Sequence, residues 1–195
     1  MRRIFGIGIL VIVIGGLFVG SQTLFTVDET NFAVVQQFGD IKSVRTEPGL
    51  NVKLPFVQQV TYLNNRVLTL DTPPQEYLTK DQKRIVVDQV TRWRISEPER
   101  FFLTARTEVG GRGRLEPLIL AELREQIAAE DYDVMISYER DDIMGTATGA
   151  VQERADRAGE ELNPDGSVKK SGGLGVVIID IRTKRADLPV AVEQS

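Results

Sequence analysis

The sequence predicts an α+β domain behind an N-terminal transmembrane helix, and three features carry that reading. A charge-free apolar stretch opens the chain, a section rich in Val, Ile, Thr and aromatic residues follows, and helical periodicity then takes over before one last strand-like segment. Strands, then helices, then a closing strand is the order of an α+β fold and not of a doubly wound sheet.

Ile4 to Val27 contains no charged residue. At about 1.5 Å per helical residue this stretch reaches about 36 Å, against about 30 Å of hydrocarbon. The helix is placed at residues 4–24, with 1–3 as a cytoplasmic N-terminus. Arg2 and Arg3 precede it and Asp28 and Glu29 follow, so the positive-inside bias sends the remainder across the membrane. A cleaved secretory signal is the competing reading, because Arg2-Arg3, the apolar run and the small residues Gly20 and Ser21 imitate its three regions. The run is longer than the roughly 7 to 15 residues usual for such a signal. Gly16 and Gly20 form one G-x-x-x-G spacing, a candidate site for close approach of another membrane helix, although glycine is also common in membrane helices without that role.

Phe32 to Phe38, Leu50 to Phe56, Val60 to Leu70 and Arg84 to Ile95 read as strands, with breaks at Pro48-Gly49 and at Asp71 to Pro74. In the last strand Ile85, Val87, Thr91, Trp93 and Ile95 share one face, and Asp88, Arg92 and Arg94 the other, which is the pattern of a half-buried strand. A helix is expected to open at Glu97-Pro98 with Ser96 as cap and Phe101, Phe102 and Leu103 turned inward. Leu115, Leu118, Ile119, Leu123 and Ile127 predict an amphipathic helix over Arg114 to Ala129. Met144, Ala147, Val151, Ala155, Ala158 and Leu162 predict a second, with a small, alanine-rich inward face. Asn163 to Gly175 is expected as a loop. Leu174 to Thr183 should return as a strand with Val177, Ile179 and Ile181 on one face.

Chemistry is narrowed by what the chain lacks. The 195 residues include no Cys and no His, which removes disulfides, thiolate sites and imidazole relays and leaves carboxylates, a Ser-Lys dyad or an all-oxygen cation site. Lys plus Arg number 24 against 28 Asp plus Glu, a net charge of -4, and aromatics are 7%, so nucleic acid is not the expected partner. Glu130-Asp131-x-Asp133 and Glu139-Arg140-Asp141-Asp142 do not follow the calcium-loop spacing and read as acids at helix N-termini. Gly110-Gly111-Arg112-Gly113 and Ser171-Gly172-Gly173 lack phosphate-loop spacing and read as turns. No spacing pairs Ser137 or Ser171 with a lysine. Arg84, Arg92 and Arg94, and separately Arg182, Lys184 and Arg185, form basic faces that are either solvated or open to an acidic partner or headgroups.

Glu47-Pro48-Gly49-Leu50-Asn51-Val52-Lys53-Leu54-Pro55-Phe56 resembles the E-P-G-L-x-x-K-x-P-F stretch of the SPFH, or Band 7, family, which includes stomatin, prohibitin, flotillin and the HflK and HflC proteins. Thr79-Lys80-Asp81, Val87-Asp88 and Trp93-Arg94-Ile95, with Pro98 and Phe102, are similar to its T-K-D, V-D and W-R-I sequence. Gly175 to Pro189 is similar to its closing strand and the turn into a long helix. Gln37-Phe38-Gly39 departs from the common R-F-G. Within the family, the short N-terminus and the single anchor followed at once by the domain resemble the HflC branch.

The resemblance implies an SPFH/Band 7 domain at residues 25–187, an antiparallel-rich sheet packed with helices, followed at 188–195 by the start of a long C-terminal helix. It implies a bacterial inner-membrane scaffold, its domain periplasmic, in a homo- or hetero-oligomer with an HflK-like subunit, regulating an FtsH-like membrane protease. No catalytic residue, cofactor or metal is expected. Phe56 and Val57, after Pro55, are candidate contacts with membrane lipid, with ordinary core packing as the alternative. Two other functions stay open: a stomatin- or prohibitin-like microdomain scaffold without a protease partner, and a secreted carboxylate-dependent hydrolase with a cleaved leader.

Overall fold

The computed structural model of the chain describes residues 14–15, 20–137, 140–159, 161–162, 168–170 and 172–187. Most of the expected membrane span, Gly16 within it, and residues 188–195 lie outside the described residues. Among the described residues no helix is long and apolar enough to cross a membrane. Two compact units emerge, Met1–Asn65 and Arg66–Ser195.

In the first unit residues 20–23 are helical and run directly into β1 (Leu24–Val27). The strands β2 (Asn31–Gln37), β3 (Asp40–Arg45), β4 (Gly49–Val52) and β5 (Gln58–Asn64) complete it. β1 and β4 form an antiparallel ribbon, and β2 lies between β3 and β5 in an antiparallel three-stranded sheet. Phe25, Val27, Ala33 and Val35 make the core, with Val60 packed against it. The expected strand at Phe32 to Phe38 stops one residue early. Phe38 (φ 53°) and Gly39 (φ 95°) are both left-handed, as a two-residue hairpin turn between right-twisted strands requires. The strand expected at Leu50 to Phe56 also stops early, at Val52. Gln58 N–H donates to the Leu54 carbonyl (3.0 Å) and Leu54 N–H to Gln58 Oε1 (2.8 Å), closing a turn around Pro55.

The second unit holds β6 (Leu68–Leu78), β7 (Arg84–Ile95), α1 (Pro98–Thr104), α2 (Glu108–Ala129), α3 (Tyr132–Ile136), α4 (Arg140–Arg157), β8 (Glu161–Leu162), β9 (Val168–Lys170) and β10 (Val176–Asp187). Its main sheet runs β10-β7-β6, all antiparallel, with α2 against β6 and α4 against β10. Val60 to Leu70, expected as one strand, is two, interrupted at Asn65-Arg66-Val67 where the units divide. The break expected at Asp71 to Pro74 is instead inside β6. The register shifts there, between Thr72 and Gln75, and β6 is an edge strand, so two prolines without N–H cost the ladder little.

Glycine explains the next correction. Gly110 to Gly113 are not a turn but the opening of α2, which Thr107 caps by accepting from Gly110 N–H (3.1 Å). A Cβ on Gly111 would stand 2.7 Å from the Phe101 ring and 3.2 Å from Trp93, so the missing side chain lets the helix close on the two aromatics. Phe101 and Phe102 are buried as expected, whereas Leu103 is exposed. The cap of α1 is Glu97, without a side-chain bond, and not Ser96. Both of their N–H groups donate to the Gly175 carbonyl at 3.0 Å. Gly175 itself has φ 67°, and a Cβ there would lie 2.5 Å from the Glu97 carbonyl oxygen.

α4 ends at Arg157, before Leu162, and Gly159 (φ 77°) turns the chain out of it. Within the expected loop, Val168–Lys170 is the strand β9, paired antiparallel with β8. In β10 the inward residues are Val176, Ile178 and Ile181, not Val177 and Ile179, because a bulge between Ile178 and Asp180 shifts the alternation by one.

Candidate functional site

The exposed apolar surface of the first unit is built by strand register. Leu24 faces Val52 and Thr26 faces Leu50 across the β1–β4 ribbon. Directly paired residues share a face, so Leu24, Leu50 and Val52 stand together on one side while Phe25 and Val27 turn into the core. The chain then leaves β4 with Leu54 exposed, followed by Phe56, 81% exposed, and Val57. Lys53 N–H donates to the Thr23 carbonyl (2.8 Å), tying this turn to the last residue before β1.

Phe38 joins the same end. The β2–β5 register pairs Gln37 with Gln58, so the residue after β2 and the residue before β5 neighbour one another. Phe38 is 87% exposed. Phe56 (φ 65°), like Phe38, is a bulky residue in left-handed backbone, a conformation that costs on the order of 1–3 kcal/mol. Two phenylalanines are thus held outward on strained turns beside a row of outward aliphatics, exposed among the described residues.

The sequence pointed to Phe56 and Val57, and both lie on this exposed turn, not in the core. It missed Leu24, Phe38, Leu50, Val52 and Leu54. The signal for most of these was present, since Leu50, Val52, Leu54 and Phe56 alternate at the strand period. Gly20 lies in the helical residues 20–23 with open space around it. Its expected companion, Gly16, lies outside the described residues.

The other sequence candidates resolve into internal structure. Asp131 and Asp133 sit at the start of α3, and Asp141 and Asp142 in the first turn of α4. Of the basic faces, Arg84, Arg92, Arg182 and Lys184 are paired, Arg94 is exposed without an ion pair among the described residues, and the Arg185 side chain lies outside them. Arg92 donates from Nε to Asp180 (2.8 Å) and from Nη2 to its second oxygen, and Arg182 shares that carboxylate at 2.7 Å. Arg92 and then Arg182 hold the Asp180 carboxyl below its ordinary range. Lys184 reaches Asp71 (2.5 Å) and Asp88 (3.6 Å), and Arg84 reaches Glu76 (3.1 Å). Hydrogen bonding to Asp71 raises Lys184. Thr79-Lys80-Asp81 forms a clamp: Asp81 accepts from Thr79 Oγ1 (2.5 Å) and from Tyr132 N–H (3.1 Å) at the start of α3, and pairs with Lys83 (2.9 Å). These hydrogen bonds, that from Thr79 first, lower its pKa to about 2. Among the described residues no cluster of carboxylates is placed to hold a metal ion.

A profile of the SPFH domain / Band 7 family matches residues 25–195. Among curated relatives, Protein HflC of Buchnera aphidicola subsp. Acyrthosiphon pisum is 28% identical over 90% of this chain and 58% of its own length. The Modulator of FtsH protease HflC of Escherichia coli K12 is 27% identical over 96% of this chain and 65% of its own. Protein HflC of Treponema pallidum is 30% identical over 70% of this chain and 41% of its own. The chain therefore spans about three fifths of the length of the first two relatives.

Proposed function

The chain belongs to the SPFH domain / Band 7 family, and on that premise we propose that it is a membrane-anchored scaffold subunit of the HflC type. It assembles with an HflK-like subunit and modulates an FtsH-like membrane protease. The protease partner is supported by the name of the Escherichia coli relative. The membrane attachment is supported by one observation above all: the outward apolar row Leu24, Leu50, Val52, Leu54 and Phe56 begins where the uncharged N-terminal stretch ends. A Leu, Val or Phe side chain fully removed from water is worth about 1.5–3 kcal/mol, so even partial burial of this row among headgroups supports a helical anchor.

In this reading the protein acts by enclosure and lateral packing. The anchor fixes it in a bacterial inner membrane, Phe38, Phe56 and Val57 seat the first unit on the periplasmic leaflet, and no bond-making step is assigned to any residue. The test is extraction and co-purification of the full-length protein from native membranes. Resistance to alkaline carbonate, release by detergent, and recovery with an HflK-like subunit and the protease are expected. Carbonate release, or a mature N-terminus that lacks residues 1–21, overturns the anchor. Detergent-dependent release without a protease supports instead the stomatin- or prohibitin-like scaffold.

A further inference from the structure

β10 is an edge strand, and along half of its length α4 takes the place of a neighbouring strand. Gln152 accepts from Ile178 N–H (2.8 Å) with its amide oxygen and donates to the Val176 carbonyl (3.1 Å) with its amide nitrogen. Thr148 Oγ1 accepts from Ile181 N–H (3.2 Å). These side chains copy the donor and acceptor pattern of a ladder and guard the edge from other chains.

The guard stops one helical turn further on. Gly145 carries no side chain, and a Cβ built there would meet nothing within 4 Å. In front of it opens a cavity of about 820 Å³, lined on the helix by Arg140, Asp141 and Gly145 and on the strand by Ile181 and Thr183. By strand alternation the main-chain groups of Thr183 point to the same open side as those of Ile181. Two of the lining residues also carry an unpartnered polar atom beneath the surface, Thr183 Oγ1 and Arg140 Nε. Thr183 is the register partner of Gln89, and Gln89 of Thr72. Gln89 is 1% exposed, with both amide atoms unpartnered, and Thr72 Oγ1 is unpartnered too. Buried groups of this kind are normally bonded, so this row is a weakly satisfied strip of the sheet that ends beside the open edge.

We propose that this gap in the guard is a strand-addition site, where an extended polypeptide segment of a partner protein lies along β10 from Ile181 onward. Its main chain supplies the alternating N–H and C=O groups that the edge lacks at Thr183. Ions fit poorly: an anion drawn to Arg140 meets Asp141 and Asp180 in the same wall, and a cation meets Arg140 and Arg182. A neutral peptide backbone meets neither objection. The other edge of the same sheet in a second copy brings Pro73 and Pro74, which have no N–H to give. The proposal does not depend on the lipid-facing role of the first unit.

The test is photo-crosslinking in native membranes from the full-length chain, with a benzophenone residue replacing Arg182 and, as control, Arg94. Adducts to a segment of another protein are expected at 182, falling roughly tenfold when Gly145→Trp fills the cavity, while the control stays unchanged. Gly145→Gln, which adds one more guarding amide in a mid-helix position with free space, is expected to raise the melting temperature and to block the adduct as well. No adduct above control, an adduct indifferent to both substitutions, or an adduct to this chain itself overturns the proposal. Amide exchange of the unsubstituted protein provides the second reading: Thr183 N–H should exchange about tenfold more slowly in the membrane than after purification away from partners, and equal rates overturn it.

Discussion

Residues 24–57 and the β10-β7-β6 sheet solve opposite problems with the same kinds of strand. On the sheet, the face turned away from the helices is charged and internally paired, Arg92 and Arg182 with Asp180, Lys184 with Asp71, while Trp93, Ile95, Ile178 and Ile181 face inward. On the β1–β4 ribbon the inward side is just as apolar, with Phe25 and Val27, yet the outward side is apolar too. Exposed apolar residues of the second unit, such as Val67, Leu103 and Val109, are scattered over different elements, which is ordinary for a protein surface. Those of the first unit form a row extended by two strained phenylalanines. Among the described residues nothing covers that row, and a contiguous exposed apolar row of this kind is the pattern of an interaction surface.

If the comparison holds, substitutions inside the second unit should destabilise strongly. Trp93→Ala, which removes a fully buried ring whose centroid lies 6.0 Å from that of Phe101, should cost about 3–5 kcal/mol in denaturant unfolding. Gly175→Ala combines a left-handed backbone with a Cβ 2.5 Å from the Glu97 carbonyl, and about 1–3 kcal/mol is expected. Thr107→Ala, which removes the cap of α2, should cost about 1 kcal/mol.

These positions also show what was legible in the residues and what was not. The inward face of β7 followed from alternation alone, because one half-buried strand has one periodicity. The inward face of β10 did not, since a bulge leaves no mark in composition. Gly110 to Gly113 misled because local propensity argues against helix, and the gain from packing Gly111 on Phe101 and Trp93 becomes visible only in three dimensions. Phe56 and Val57 were singled out beside the chain's resemblance to a family, and their exposure is what the structure adds, whereas placing Phe38 near them depended on knowing that β2 pairs with β5.

A smaller and pH-dependent effect is expected at the Thr79-Lys80-Asp81 clamp. The Asp81 carboxyl titrates at about 2 in the folded protein against an ordinary 3.8. A depressed value means that its contribution is fully present above the ordinary pKa and disappears as pH falls from there toward about 2. The melting temperature of Asp81→Asn should therefore lie below that of the unsubstituted chain by a constant margin above about pH 5, and the margin should close on acidification. A margin that persists unchanged at the acid end would assign the clamp's effect to shape and not to charge.

The smallest change in stability should come from the first unit, and it is the sharpest test of the contrast. Phe38→Gly and Phe56→Gly each remove an exposed ring and relieve left-handed backbone, at the cost of extra freedom in the unfolded chain. The two effects oppose, so folding stability should stay within about 1 kcal/mol and not fall as it does for Trp93→Ala. Membrane attachment should respond differently. In flotation with anionic vesicles, a chain truncated before residue 20 and carrying both substitutions should partition less than the truncated parent. Because both rings point away from the core, lost partitioning at unchanged stability can arise only from the surface itself, whereas lost stability would show that the rings pack inward after all.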